Sequence, residues 1–531
     1  MSAAALMGVL GWLPATAAFG AEDTCGDSAS SEWTRSERWI WSQVCKSQDA
    51  DLNSLGGPPA PASTQASGWS ESHRISADFL RDIVTEPQYV RYTSVLQVRV
   101  SGALVRGYLD LSDMISARGL AVEDSRFQGV VSLYNAMTTS DVNFSGSTFL
   151  DEFRAAGAKI GGTFYLDEVR AEKSVNLEFA KIAETLSIRS TVILGDFEGN
   201  DLQVDRDCTL VSDAVAGIRI TDATIGGTLS LYSTSATDEV DLSGSASKDL
   251  IISGGSYEKV GMTSADVEHD AVIEGATMPE LEVYGSRIGG ALSLAGTHLE
   301  DQLTLTNSTV GGPLHLVDSR SFTFDPSTTM DLRNLAVGSV DESPATWPTS
   351  LRLNGFSYRG TGGTFVIDRD LDFYRQWLER DQYNRGPYRN LEDALREAGR
   401  TNEADAVAMM RMDREAEEGS WLRWPDRFLF KASVGYGYKP WYAIAPIIVL
   451  IVFGSVVAKH LALDRHEVPS TVLLSAHLLV PLISFGERFS KVDVTSGNVP
   501  PFVRRYFYVH VVVGYVLAAY VAAALARITS R

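Results

Sequence analysis

Between Leu109 and Asp318 the chain returns to one short pattern, apolar-x-apolar, at steps of eleven residues. It appears as Leu109/Leu111, Leu120/Val122, Val131/Leu133, Val142/Phe144, Phe153/Ala155, Phe164/Leu166, Val175/Leu177 and Leu186/Ile188. With occasional steps of ten it continues as Ile218/Ile220, Leu229/Leu231, Val240/Leu242, Leu250/Ile252, Leu281/Val283, Leu292/Leu294, Leu303/Leu305 and Leu314/Leu316. Alternation of period two is the mark of a strand with one buried face. The fifth residue of each unit is often a turn former, as at Asp113, Asp124, Asn135, Gly146, Gly157, Asp222, Gly244 and Asn307, residue types that tolerate a sharp corner. The sixth is usually small and the eighth large and apolar, as at Phe127, Phe149, Ile160, Ile182, Ile225, Val267, Ile288 and Val310.

Two very short strands per unit follow, joined at corners. Two units make one coil of a four-sided β-solenoid over residues 91–362, in which each coil contacts only its neighbours. Helical packing is a poor alternative for units this rich in Gly, Ser, Thr and Val. The register turns Leu229, Leu231, Leu292 and Leu294 inward, makes Cys208 a buried inert thiol, and leaves Ser230 on an outer face where an added carboxylate is harmless.

The pattern changes on either side. Met1 to about Ala21 is apolar, with small residues at Ala18 and Gly20, and reads as a signal peptide, although no basic residue precedes Arg35. Residues 22–90 read as a helical cap and linker. A helix over about 31–50 carries Trp33, Trp39, Trp41 and Val44, a Gly/Pro/Ser/Ala-rich linker covers 56–69, and a second helix starts at Ser76, whose hydroxyl caps it. After Asp318 the register is lost; 321–348 reads as an irregular insertion and Leu351–Phe356 as a last strand. From Asp368 the period is helical, with Leu371, Tyr374, Trp377 and Leu378, then Leu391, Ala394, Leu395 and Ala398, giving a hairpin over 363–420 that turns at Gly399. Within 421–531, Trp441–Ala458 and Tyr506–Leu525 are long enough to cross a bilayer, and Trp441, Tyr442, Tyr506 and Tyr508 sit where interfacial aromatics belong. Between them Val472–Phe485 is apolar but too short to cross, which predicts a re-entrant or interfacial segment.

The repeat resembles the pentapeptide-repeat β-helix, with an eleven-residue unit in place of two fives. It is closer to a group of bacterial membrane-anchored β-helix proteins in which such a solenoid precedes a C-terminal two-span hairpin. The residues that carry this likeness are Ile-Gly-Gly at 160, 225 and 288, Val-Gly-Gly at 310, Leu353–Tyr358 and Gly435–Tyr438. The helical hairpin is similar to a tetratricopeptide-type pair. Some relatives carry the label membrane-associated oxidoreductase. The residues here give that label no support: Gly360-Thr361-Gly362-Gly363 lacks dinucleotide-binding spacing, there is no CxxC, and three scattered cysteines cannot hold an iron–sulfur cluster.

Charge refines the picture. The net charge is −21. From Gly419 onward twelve Lys and Arg face five Asp and Glu, which is +7 and leaves −28 for the residues before. An acidic solenoid repels nucleic acid and suits a solvated body on a basic membrane anchor. Basic residues flank both sides of the spans equally, six against six, so orientation rests on the signal peptide, which puts the solenoid outside. An exported N-terminus makes a Cys25–Cys45 disulfide the better reading of those two cysteines.

Candidate chemistry is sparse. His510 lies inside the second span and His477 in the short segment; intramembrane ionisable residues are functional candidates, and the plain alternative is a neutral imidazole bonded to the facing helix. The chain has no GxSxG, HExxH or P-loop, and no cofactor or metal is expected. The reading is a non-enzymatic, membrane-anchored extracytoplasmic scaffold at the inner membrane, with the bilayer and an envelope protein or glycan as partners. The runner-up is a two-span, ion-channel-like pore gated by the solenoid, which implies a homo-oligomer; there Ser484-Phe485-Gly486-Glu487 stands where a potassium filter has Thr-Val-Gly-Tyr-Gly. A glycan-active β-helix is third.

Overall fold

Two compact units divide the chain after Leu351. The computed structural model describes residues 25–93, 98–317, 321–358, 369–417, 435, 440–459, 470–480 and 499–529. The expected signal peptide, Gly360–Gly363 and the Ser484–Glu487 segment lie outside the described residues.

The first unit is a parallel β-solenoid, part of an array of about 12 turns. Two parallel sheets run along it. Val142 pairs with Phe164 and Leu186 with Cys208, 22 residues on, whereas Cys208 pairs with Leu229 and Leu229 with Leu250, 21 residues on. Two repeat units therefore make one coil, and the steps of ten in the sequence are the shorter coils. Each coil supplies short strands to both sheets, for example Ile115–Ser116 and Leu120–Glu123 to one, Arg126–Phe127 and Val131–Ser132 to the other.

All sixteen apolar pairs point inward, no member more than 3 % exposed. The eighth-position residues from Phe127 to Val310 are buried with them. An aromatic column strengthens the early coils, with ring centroids of Phe127 and Phe149 5.1 Å apart and of Phe149 and Phe153 4.8 Å apart. Each such fully buried side chain is worth about 1.5–3 kcal/mol of transfer free energy.

The corners use left-handed backbone, with φ of 56° at Asp113, 48° at Asp124, 53° at Asn135 and 71° at Gly146. Phe179 adopts the same conformation at 59° while its ring is exposed, a choice that costs about 1–2 kcal/mol for a residue with a Cβ. The recurring Gly-Gly has a separate cause. The Asp141 carboxylate accepts from Thr163 N at 2.8 Å, and a Cβ on Gly162 would collide with it. Asp207 with Thr228 and Gly227, and Asp270 with Ala291 and Gly290, repeat the device.

Three features differ from the sequence reading. Ser230 is only 4 % exposed, and Ser132 and Ser187 are equally covered. Strands lie about 4.8 Å apart, so Thr209 and Ile251, its register neighbours on adjacent coils, overshadow so small a side chain. The outer face is also a bonded lattice: Ser187 Oγ donates to Asp167 at 2.8 Å, and Asn176 Nδ2 donates to Glu198 at 2.8 Å. Second, residues 321–348 continue the ladder. Leu303 pairs with Met330 and Leu314 with Val340, so one coil is lengthened to 26 or 27 residues while both partners stay buried. Third, the stretch expected as a linker is docked: Arg126 donates to the Ser63 carbonyl at 2.8 Å and Thr148 to its hydroxyl at 3.0 Å.

At the N-terminal end the Arg35–Val44 helix begins with a capping box between Thr34 and Glu37. Trp33 precedes the cap and packs against Trp41, Phe79 and Tyr89. Ser76 Oγ accepts from Phe79 N and starts the Ala77–Thr85 helix, as its sequence suggests.

The second unit contains the Ser357–Tyr358 strand, followed by the Leu371–Glu379, Arg385–Glu397 and Thr401–Glu417 helices. Gly399, at φ 75°, makes the turn between the last two. Tyr374, Trp377, Leu378, Leu391, Leu395 and Val407 form their buried faces. Arg396 bridges Glu392 and Asp405 across the hairpin at 2.8 and 3.1 Å.

Candidate functional site

Trp441–Ala458 and Pro501–Ala523 are helical stretches long and apolar enough to cross a membrane. The second starts five residues earlier than its hydropathy suggests, because Pro501 suits a first helical turn. The Ile444–Ala458 and Pro501–Thr529 helices run antiparallel: Val457 and Ala458 cluster with Val503 and Phe507, while Ala443 meets Tyr520 and Val521 at the other end. The outer surfaces stay apolar, with Ile448, Val449, Val452, Val509 and Val512 all more than half exposed. Such a surface suits contact with lipid.

The short apolar segment contains a nine-residue helix, Thr471–Leu479, capped by Ser470. At about 1.5 Å per residue it spans roughly 14 Å, half a bilayer core. Small residues let it settle against both long helices. A Cβ on Gly454 would overlap the Ser475 hydroxyl, and one on Gly514 would overlap the Leu479 carbonyl oxygen. Ser455 and Thr471 hydroxyls are 2.9 Å apart.

His510 stands at the centre of this packing, 2 % exposed. Its Nε2 lies 3.1 Å from the Ser475 carbonyl oxygen and its Nδ1 lies 3.0 Å from the Tyr506 hydroxyl. A neutral ring protonated at Nε2 satisfies both, donating to the carbonyl and accepting from the phenol. The imidazole is thus bonded to the facing short helix, through Ser475. His477 lies two residues further on, about 200° around that helix. Among the described residues no group of three His, Cys, Asp or Glu gathers to hold a metal. The arrangement ties the short helix to the Pro501–Thr529 helix, with Gly454 of the other long helix close against Ser475 and His510. Sequence reading missed Ser475, Tyr506, Gly454 and Gly514 as a set. The available signal was small residues inside otherwise apolar segments.

In the solenoid unit Cys25 and Cys45 form a disulfide, with Cα atoms 5.6 Å apart. It ties the Cys25–Ser28 turn to the end of the Arg35–Val44 helix, and Trp41 Nε1 donates to the Cys25 carbonyl at 2.8 Å. Cys208 is fully buried, and burial pushes its thiol up to about 12, which removes thiolate chemistry at neutral pH.

One corner of the solenoid carries an unexpected acid. Ser125, Ser147 and Thr191 each accept a backbone N–H from the coil before, and the same column places Asp213 next, accepting from Thr191 N at 2.7 Å. Its Oδ2 is enclosed without a hydrogen-bond partner among the described residues. Burial raises its carboxyl to about 7. Thr191 and Thr234, on either side of it in the column, donate their hydroxyls to carbonyls of the preceding coil. Comparison of the chain with models of protein families, with curated proteins and with solved structures returns no match.

Proposed function

We propose that this protein is a non-enzymatic, membrane-anchored β-solenoid that presents a rigid acidic surface as an interaction or envelope scaffold. The observation that carries the reading is the outer lattice of the solenoid, where paired side chains such as Asn176–Glu198 and Arg219–Asp196 repeat from coil to coil. Side chains so engaged with each other suit a fixed recognition surface. The two apolar helices supply the anchor. The Cys25–Cys45 disulfide supports an oxidising, extracytoplasmic setting, and hence the inner membrane with the solenoid outside. We further infer that the coils are four-sided, like the pentapeptide-repeat β-helix, because those between Ile115 and Arg219 are built from four short strands each.

A two-span pore is the second reading. It is favoured by the Thr471–Leu479 helix, half a bilayer long and packed against both spans through Gly454 and Gly514. Mass measurement in detergent with planar-bilayer recording tests the choice. A single chain without conductance is the expected result, and a symmetric conducting ring transfers the assignment to the pore. Phosphatase fusions after Gly419 should be active and fusions within 488–500 silent; the reverse pattern overturns the outside placement.

A further inference from the structure

A cavity of about 490 Å³ lies at the N-terminal end of the solenoid. Its walls come from elements fixed for structural reasons. The Arg74–Ser76 strand pairs in parallel with Leu104–Arg106, with Ser76 opposite Arg106. Alternation along a strand turns Ile75 and Val105 into the core, at 2 % and 1 % exposed, and leaves Arg74, Ser76 and Arg106 on the other face. The first turn of the Arg35–Val44 helix adds Arg35 and Glu37 to the same cavity.

Three guanidinium groups therefore line one cavity on a body whose balance is strongly negative. The acids nearby leave two of them unpaired. Glu37 accepts from Thr34 N, Ser76 N and Ser76 Oγ, and so is committed to the two helix starts. Glu71 pairs with Arg74 from an exposed position. Arg35 and Arg106 have no ion-pair partner among the described residues. A guanidinium fork matches the two oxygens of a carboxylate or phosphate.

We propose that this cavity binds a small molecule carrying a carboxylate or phosphate group, of about monosaccharide size, held by Arg35, Arg74 and Arg106. Its volume falls within the usual range for small-molecule sites, roughly 300–1,000 Å³. The proposal is independent of the scaffold and pore readings, since the cavity lies wholly within the solenoid unit. It also gives the N-terminal cap a purpose beyond covering the end of a sheet.

Calorimetry on the full chain in detergent, with glucuronate, glucose 6-phosphate, inorganic phosphate and neutral glucose as probes, tests it. Saturable binding of glucuronate or glucose 6-phosphate, absent for glucose, is expected; which of the two binds identifies the group recognised. Binding of inorganic phosphate alone reduces the site to an adventitious ion pocket and overturns the size claim. Arg35→Ala and Arg106→Ala should each weaken binding by about tenfold, the order of one charge-assisted hydrogen bond, whereas Arg189→Ala, elsewhere on the solenoid, should not. Both target arginines are exposed and unpaired, so thermal unfolding without ligand should stay unchanged. Equal affinity for glucose, affinity unaltered in both variants, or no saturable binding of any probe overturns the proposal.

Discussion

The solenoid and the apolar C-terminal helices solve burial by different means. In the solenoid every inward position repeats the environment of the one 21 or 22 residues earlier, so an apolar pair defines its own neighbours. Specificity there comes from large side chains stacked in columns. In the two long apolar helices the outer surface is as apolar as the contacts, as Ile448, Val449 and Val509 illustrate. Hydrophobicity cannot choose a packing partner in that setting. Specificity comes instead from what is missing or polar: the absent Cβ of Gly454 and Gly514, and the Tyr506–His510–Ser475 chain. A column tolerates no charge, and a glycine contact tolerates no bulk.

Four substitutions sharpen that contrast. Leu231→Asp should have the largest effect, because it puts an unpaired charge into a dry column; a loss of several kcal/mol is expected. Circular dichroism melting of the variant should reveal a solenoid unfolded or melting far below the parent. Ser230→Asp should be milder yet measurable, since that position is covered by its neighbours. Equal melting of parent and Leu231→Asp would mean that the column is not dry.

Asp213 comes second. Its acid holds a proton up to about pH 7 in the fold, whereas an unfolded Asp loses it near pH 4. The native state therefore binds the extra proton between these values, and stability must fall as pH rises from about 4 to 7, then level off. The shift corresponds to roughly 4 kcal/mol at most, at about 1.4 kcal/mol per unit. Asp213→Thr restores the residue found in neighbouring coils. Its melting temperature should match the parent near pH 4 and exceed it increasingly up to pH 7. A gap that does not change with pH would show that the carboxyl is not buried as described.

Gly514→Val should have a smaller effect than Leu231→Asp. The new side chain meets the Leu479 backbone and should push the short helix away, at a cost of about 1–3 kcal/mol, typical of overpacking. Faster protease cleavage near 471–480 in detergent, with the solenoid melting transition unmoved, is the expected outcome. Unchanged cleavage would remove the close approach from the account.

The sequence by itself determined the inward columns, the corners and the coil length, because each is written many times over at a fixed spacing. Leu186, Cys208 and Leu229 sit one above another for that reason. The Ser76 cap was equally legible, since a cap needs only residues within one helical turn. The continuation through 321–348 was hidden because a few inserted residues erase a periodicity without breaking the ladder. Only the tertiary structure decided which outward side chains see water: Ser230 is outward and covered, and its shading comes from neighbours a whole coil away. It alone set Asp213 beneath Thr234, brought Ser475 to His510, and gathered Arg35, Arg74 and Arg106 around one cavity. Those three arginines are 32 and 39 residues apart along the chain. Each is ordinary in its local context, and the chemistry they share exists only once a helix and two strands from separate segments meet.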